Sequence, residues 1–132
     1  VLTSHGMAPV FLLAPTTTEA RIAEICRMAR GFVYYVSLKG VTGSDRLDPA
    51  AVAEKLALVR RHTVLPIGVG FGIKDPESAA QVAAICDAVV IGSALVARLW
   101  ALCDERERAE REVSSFVADV RTAIDGARPA AA

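Results

Sequence analysis

The chain has 132 residues, 53% of them hydrophobic, and its 15 basic and 15 acidic residues give a formal net charge of zero. This length suits one domain with a buried core, and the balanced charge argues against nucleic acid and anionic membranes as partners. No apolar run is long enough to span a membrane, residues 1–6 lack the pattern of a signal peptide, and the missing initiator methionine predicts a trimmed or partial chain.

The first predicted unit is a strand at residues 10–14 followed by a helix. We expect Thr16 to cap that helix and Glu19 to complete a capping box, and we expect Gly31 to end it. The apolar stripe at helical spacing consists of Ile22, Ile25, Cys26 and Ala29.

Two further units of the same kind follow, with strands at residues 32–37 and 65–69. The helix after each strand begins with an aspartate cap followed by proline, namely Asp48, Pro49, Asp75 and Pro76. The residues predicted to face inward are Val52, Leu56 and Val59 in the first helix and Ala79, Val82, Ala83 and Cys86 in the second.

The fourth unit is a strand at residues 88–91 and a helix at 93–102, and a last helix covers 107–124. The mixed charges of residues 104–111 predict a solvated helix face. The apolar face of the last helix consists of Val113, Phe116, Val117, Val120 and Ile124. Residues 126–132 are predicted to form a flexible tail after one domain at residues 1–125.

Alternating strands and helices predict an α/β fold with a parallel sheet and crossover helices. Two architectures share this pattern: half of a (βα)8 barrel, which as a whole needs about 250 residues, and an open doubly wound sheet. Glycines after the last two strands favour the half barrel, because the loops after the seventh and eighth strands of such barrels commonly bind phosphate.

The candidate anion site consists of Gly70, Phe71 and Gly72 after the third strand and Gly92 and Ser93 after the fourth. Glycine lets backbone N–H groups approach an anion, and the helix N-terminus at Ser93 adds a favourable dipole. The alternative interpretation makes Ser93 a plain N-cap.

The segment after the second strand carries Gly40, Thr42 and Gly43. These residues suit a mobile loop that folds over a ligand, although an ordinary turn also needs glycine. Asp45 and Arg46 follow without an assigned role. Before the loop, Tyr34 either points into a barrel, where it would meet a flat ligand, or packs in the core.

The remaining chemistry-bearing residues are the cysteines and histidines. Cys26, Cys86 and Cys103 lack Cys-x-x-Cys spacing and lie among apolar helical neighbours, so we expect buried free thiols in a reducing compartment, the cytoplasm. His5 and His62 have no evident catalytic or metal partners, and we expect both at the surface.

Four segments in order resemble the C-terminal half of the α subunit of tryptophan synthase. They are Pro-Val-Phe-Leu-Leu-Ala-Pro-Thr-Thr at 9–17, Gly-Val-Thr-Gly at 40–43, Gly-Phe-Gly-Ile at 70–73 and Gly-Ser-Ala at 92–94. The resemblance, over residues 7–123, implies a TIM barrel that cleaves indole-3-glycerol phosphate to indole and glyceraldehyde 3-phosphate. It also implies no cofactor in this chain and a partner β subunit that carries PLP and receives the indole.

The resemblance assigns roles to particular residues. It implies that the residues binding the substrate phosphate are Gly43, Gly72, Gly92 and Ser93. Tyr34 and Phe71 would flank the indole or glycerol part, and Thr42 would hold the closed loop by bonding a catalytic aspartate. The catalytic glutamate and aspartate of the family lie in the N-terminal half, so this chain contains no catalytic residue and we expect it to be inactive alone.

Two functional interpretations stay open: an enzyme fragment, and a non-catalytic half barrel that binds phosphorylated metabolites or a partner protein. A different phosphate-binding barrel of tryptophan or histidine biosynthesis is disfavoured by the Gly-Val-Thr-Gly loop. The first and last strands would be bare apolar edges, and the inner sheet face would be open to water. We therefore expect a homodimer that closes an eight-stranded barrel, or a larger oligomer, with aggregation or a molten state as the competing outcome.

Overall fold

A computed structural model of the chain describes residues 3–37, 49–70 and 72–127. A short 3₁₀ helix, Thr3–His5, precedes the first strand. The strands are β1 (Phe11–Leu13), β2 (Val33–Val36), β3 (Ile67–Gly70) and β4 (Ala88–Val90). The helices are α1 (Glu19–Met28), α2 (Pro49–Arg60), α3 (Pro76–Ala83), α4 (Ser93–Ala101) and α5 (Arg106–Ala127).

The four strands form one parallel sheet in the order β1-β2-β3-β4. The register aligns Leu12, Tyr34, Gly68 and Ala88 across the sheet. A doubly wound sheet reverses its strand order at a switch point, whereas this order follows the chain without a reversal. The topology therefore favours an arc of a barrel over an open doubly wound sheet.

The core lies between the helices and one face of the sheet. Alternate strand residues point toward the helices and are almost fully buried, namely Leu13, Val33, Tyr35, Ile67 and Val69. They form one cluster with side chains from α1, α2, α3 and α5. The predicted stripes of α1, α2 and α3 all contribute to this cluster, because the helical period of the apolar residues matches the face that each helix turns to the sheet.

The opposite face of the sheet carries no helix in the described part of the chain. Leu12 of β1 lies on this face and is 60% exposed. The rings of Phe32 and Tyr34 lie against Gly68 and Gly70 of the neighbouring strand. This face has the position of the interior of a closed barrel.

The capping box predicted for α1 is wrong. The helix begins at Glu19 with Thr18 at the N-cap, and no side chain caps it. Thr17 instead closes a turn after β1. Its backbone N–H donates to the Ala14 carbonyl at 2.9 Å, and its Oγ1 accepts from the Ala14 N–H at 2.9 Å. Glu19 is used elsewhere, since its carboxylate pairs with Arg61.

The start of α3 is as predicted. Asp75 is the N-cap and accepts a hydrogen bond of 2.8 Å from the Ser78 N–H, and Pro76 is the first helical residue. The Ser78 hydroxyl reaches back to the Asp75 N–H at 3.3 Å, which completes a capping box. The start predicted for α2 is half described, since Pro49 is its first residue and Asp48 lies outside the described residues.

Several helix ends and faces differ from expectation. α1 ends at Met28, and Gly31 takes a left-handed φ of +79° in the turn that leads to β2.

Val117 is 51% exposed, because α5 turns only a narrow stripe toward α3. Gly126 belongs to α5 rather than to a tail, and residues 128–132 lie outside the described residues. Cys103 is exposed, since it lies in the turn between α4 and α5. Cys26 and Cys86 are buried, as predicted, and the Cys86 thiol donates to the Ala88 carbonyl at 3.1 Å.

Candidate functional site

The carboxyl ends of the parallel strands form one edge of the sheet, and the described members of the predicted site lie at or near this edge, namely Tyr34, Gly72, Gly92 and Ser93. The register pairs Val36 with Gly70 and Gly70 with Val90. The turns after β2, β3 and β4 therefore begin side by side. This edge is where ligands bind in parallel α/β folds.

Ser37 ties the first two of these turns together. Its backbone N–H and its hydroxyl both donate to the Gly70 carbonyl, each at 3.0 Å. Ser37 is buried, so these hydrogen bonds lie in a low-dielectric setting that strengthens them. Sequence reasoning did not single out Ser37, because a serine at a strand end usually indicates nothing more than a turn.

Gly72 forms the turn between β3 and α3. Its φ of +77° lies in the left-handed region that favours glycine. A Cβ built there would meet no described atom within 4 Å, and the residue is exposed. The glycine is therefore required by the backbone conformation, and the space beside it is open to a ligand.

Gly92 and Ser93 form the N-terminus of α4. Gly92 is the N-cap, and its carbonyl accepts from the N–H groups of Leu95 and Val96 at 3.0 and 3.1 Å. Ser93 is the first helical residue and makes no capping bond, so the N-cap interpretation of Ser93 is wrong. Within the described residues, the N–H groups of Ser93 and Ala94 have no hydrogen-bond partner, and such a helix end attracts an anion.

Tyr34 lies on the open face of the sheet, which none of the described helices covers. An ideal Cβ on Gly70 would lie 2.8 Å from Tyr34 Cε2 and 3.0 Å from Cζ, and still closer to the hydroxyl. The ring thus covers the backbone of β3 just below the glycine turn. The core tyrosine is its neighbour Tyr35, which is 2% exposed and whose pKa is raised by burial. The inward-pointing interpretation of Tyr34 agrees with this geometry.

Part of the predicted site lies outside the described residues. These residues are Thr42, Gly43, Asp45, Arg46 and Phe71. The roles predicted for Thr42, Gly43 and Phe71 accordingly stay predictions.

A cationic residue follows each of the two glycine turns in the chain. Hydrogen bonds from the Ser78 side chain and backbone lower the pKa of the Asp75 carboxyl, and the charges of Lys74 and Arg98 contribute to the same direction. Lys74 lies two residues after Gly72, and Arg98 is the sixth residue of α4, where its Nη1 donates to the Ala94 carbonyl at 2.9 Å. Sequence reasoning missed Arg98, because a single arginine in an apolar helix carries no motif.

Other polar groups lie away from this edge. His5 is exposed, and His62 Nε2 is 3.2 Å from a carboxylate oxygen of Glu19. A cavity of about 540 Å³ opens between α1 and α2, where Glu19 and Glu54 face Lys55 and Arg61. These opposite charges compensate one another, so the cavity has no net preference for an anion.

Residues 3–37, 49–70 and 72–127 contain no group of three side chains suited to hold a metal ion, and none of their helices has the length and apolarity to cross a bilayer.

Comparison with known proteins gives one consistent family. A family model described as tryptophan synthase alpha chain matches residues 1–125. The tryptophan synthase alpha chain of Thioalkalivibrio sulfidiphilus is 60% identical over 125 residues, which cover 95% of this chain and 47% of that protein. The corresponding protein of Bordetella pertussis is 65% identical over 96 residues, which cover 73% of this chain and 34% of that protein. The chain thus spans about half the length, or less, of these relatives.

Solved structures agree with the sequence comparison. The tryptophan synthase subunit alpha of Legionella pneumophila str. Paris matches with a TM-score of 0.79 and 32% identity, over 94% of this chain and 45% of that chain. Tryptophan synthase from M. tuberculosis in its aminoacrylate-bound form matches with a TM-score of 0.73 and 28% identity, over 92% and 42% of the respective chains. The four strands of this chain thus correspond to half of a TIM barrel, as the sequence predicted.

Proposed function

This chain belongs to the tryptophan synthase alpha chain family, and on that premise we propose that it is the phosphate-binding half of an indole-3-glycerol phosphate lyase. The proposed substrate is cleaved to indole and glyceraldehyde 3-phosphate in the whole barrel. The observation that carries the proposal is the adjacency of two open turns, one at Gly72 and one at Gly92 and Ser93, at the carboxyl edge of the sheet.

The physical support for phosphate binding is local. The N–H groups of Ser93 and Ala94 lack partners in the described part of the chain, and the α4 macrodipole places partial positive charge at the same point. The Ser93 hydroxyl adds a donor, and the bare Cα of Gly92 leaves room for an oxygen to approach. A phosphate dianion satisfies all these donors at once.

The rest of the substrate would extend along the uncovered face of the sheet. Tyr34 borders this face next to Gly70, and Phe71 follows Gly70 in the chain, so both suit contacts with the flat indole ring or the glycerol. The segment with Thr42 and Gly43 follows Ser37 and would close over the phosphate from the β2 side. Thr42 would then bond the catalytic aspartate of the other half barrel.

We propose that the chain alone does not catalyse the cleavage. Proton transfer to and from the indole ring and glycerol hydroxyl needs a positioned acid and base. The resemblance puts the glutamate and aspartate that do this in the other half of the barrel. This half would bind and orient the substrate in the cytoplasm, hold no cofactor, and contribute to contact with a PLP-bearing β subunit.

A second candidate function is a non-catalytic half barrel that binds phosphorylated metabolites. The observation in its favour is that the turns at Gly72 and at Gly92 are both formed by this chain's own strands and helices. In either case a second copy would cover the outer edges of β1 and β4, which no other strand of the described residues pairs, and would complete eight strands around one mouth.

The test is calorimetric titration of the whole chain with inorganic phosphate and with indole-3-glycerol phosphate. We expect saturable binding of both, lost in Ser93→Asp because a carboxylate beside the helix N-terminus repels the dianion. Ser114→Asp, which places the same charge on the exposed side of α5, should bind like the wild type. Equal binding by Ser93→Asp and wild type would contradict the assigned site.

Catalysis separates the two candidate functions. Mixing the chain with a purified N-terminal half of a tryptophan synthase alpha chain should restore release of indole from indole-3-glycerol phosphate if this is the lyase half. Phosphate binding without recovered indole release, in a mixture shown by sedimentation to associate, would favour the binding module.

A further inference from the structure

Arg98 links the helix that begins the phosphate site to the rest of the fold. Its Nη1 donates to the Ala94 carbonyl in the first turn of α4 at 2.9 Å. Its guanidinium carbon lies 3.8 Å above the centre of the Phe116 ring of α5. The side chain is partly buried, so both contacts are made with reduced competition from water.

Phe116 belongs to the core and is 7% exposed. It lies on the stripe of α5 that packs along α3, the most extensive helix pair in the described structure. α3 in turn follows the Gly72 turn, and the charge of Arg98 contributes to the lowered pKa of its cap Asp75. The Arg98 side chain itself contacts both α4 and α5.

α4 is attached mainly by partly buried contacts. None of its nine residues is buried, its helix contacts are chiefly with α5, and Ala94 and Leu95 pack against the margin of the core cluster. A helix with so little buried surface depends strongly on each specific contact for its orientation. The stacked guanidinium of Arg98 is such a contact, and it acts one turn from Ser93.

We propose that Arg98 is a positioning residue for phosphate binding. By clamping α4 onto Phe116 it fixes the N-terminus of α4 at a set distance from the Gly72 turn, so that donors from both turns point at one phosphate. This inference rests on the proposed phosphate site. It requires the planar guanidinium, because a lysine ammonium does not stack flat on a ring while donating to the Ala94 carbonyl.

The variant that tests the clamp is Arg98→Met, which keeps an unbranched apolar stem against Phe116 and removes the guanidinium. The matched control is Arg106→Met, which removes an exposed arginine that pairs with Glu110 on α5. The probe is sn-glycerol 3-phosphate, titrated by calorimetry against the whole chain. We expect Arg98→Met to raise Kd about three- to tenfold and Arg106→Met to leave it unchanged.

A structural role alone would lower stability without changing the site, so a second readout is taken without ligand. The amide resonances of Gly72 and Ser93 are compared in two-dimensional NMR spectra. Arg98→Met should shift or broaden both, Arg98→Lys should restore them only in part, and Arg106→Met should leave both in place. Unchanged Gly72 and Ser93 amides in a folded Arg98→Met protein overturn the proposal.

The two readouts keep the proposals distinguishable. If the wild type does not bind glycerol 3-phosphate, the proposed function fails, and the amide resonances still decide whether Arg98 positions the two turns. If the wild type binds and Arg98→Met binds equally well after correction for its folded fraction, the positioning role fails and the phosphate site stands.

Discussion

At the scale of single residues, the contact between Tyr34 and Gly70 explains why β3 ends in a glycine. Gly70 is buried, and the ring of Tyr34 occupies the space that a Cβ would need. Glycine is therefore required there by a neighbouring side chain, whereas Gly72 is required by its positive φ. The same residue type serves two physical needs two positions apart.

Gly70→Ala should push the Tyr34 ring away from β3 and destabilise the fold by about 1–3 kcal/mol, the usual cost of overpacking. The measurement is urea unfolding followed by far-UV circular dichroism. In a Tyr34→Leu background the same glycine substitution should cost less, because the ring that it collides with is gone.

The matched control is Gly126→Ala. Gly126 lies in the last turn of α5 with no described atom near a built Cβ, so alanine there should be neutral or stabilise by up to about 1 kcal/mol. If Gly70→Ala lowers the free energy of unfolding equally in the wild-type and Tyr34→Leu backgrounds, the added Cβ does not collide with the Tyr34 ring.

At the scale of elements, the start of α3 is the best-defined helix cap. Asp75 accepts from the Ser78 N–H, and Ser78 reciprocates. The Ser78 side chain and backbone lower the pKa of Asp75. The cap matters for the site because it holds the helix that follows the Gly72 turn.

The lowered pKa predicts part of the acid sensitivity of the fold. A carboxyl whose pKa is lower in the folded state contributes stability above its unfolded pKa of about 3.9 and loses it as pH falls through the folded pKa. Asp75→Asn, which keeps a good capping residue, should therefore change stability little at pH 7 and flatten the loss of unfolding free energy below about pH 4.

This dependence is measured by urea unfolding at a series of pH values from 7 to the acid limit of the folded state. The control is Glu77→Gln, which removes a neighbouring carboxylate in the same helical turn that does not cap α3. If the free energy of unfolding of Asp75→Asn depends on pH as that of the wild type does, protonation of Asp75 does not cause the acid sensitivity.

At the scale of the whole molecule, the outer edges and the open face of the described sheet govern whether the chain associates. β1 and β4 each pair on one side within the described chain. Leu12 is 60% exposed on the open face, and Trp100 is 79% exposed on α4. Exposed apolar surface beside bare strand edges favours association.

We expect the purified chain to form a dimer that closes the sheet, detected as a doubled mass in sedimentation equilibrium. Trp100 is the only tryptophan, so its emission should shift to the blue as concentration rises and the face of α4 is covered. Leu12→Asp should weaken association, because it places a charge on the face that would become the barrel interior.

Val64→Asp provides the comparison, since Val64 is fully exposed in the segment before β3 and lies on neither the open face nor α4. It should associate like the wild type. A well-folded monomer at all concentrations would contradict the dimer, and polydisperse material without a cooperative unfolding transition would indicate the competing molten or aggregated state.

The sequence by itself determined the number, type and order of the main helices and strands, the family, and the glycine turns of the candidate site. These features depend on near neighbours in the chain: apolar periodicity, an aspartate-proline helix start, or a glycine after a strand. The buried stripes of α1, α2 and α3 followed for the same reason, because each repeats at the helical period and faces one sheet.

Only the tertiary structure decided which exposed or partly buried groups meet. The turn at Thr17 replaced the expected cap at Thr16, Val117 and Cys103 proved exposed, and Arg98 came to lie on Phe116. The physical reason is that burial and side-chain contact depend on which other element covers a residue. That covering element is distant in sequence, so no local pattern contains the information.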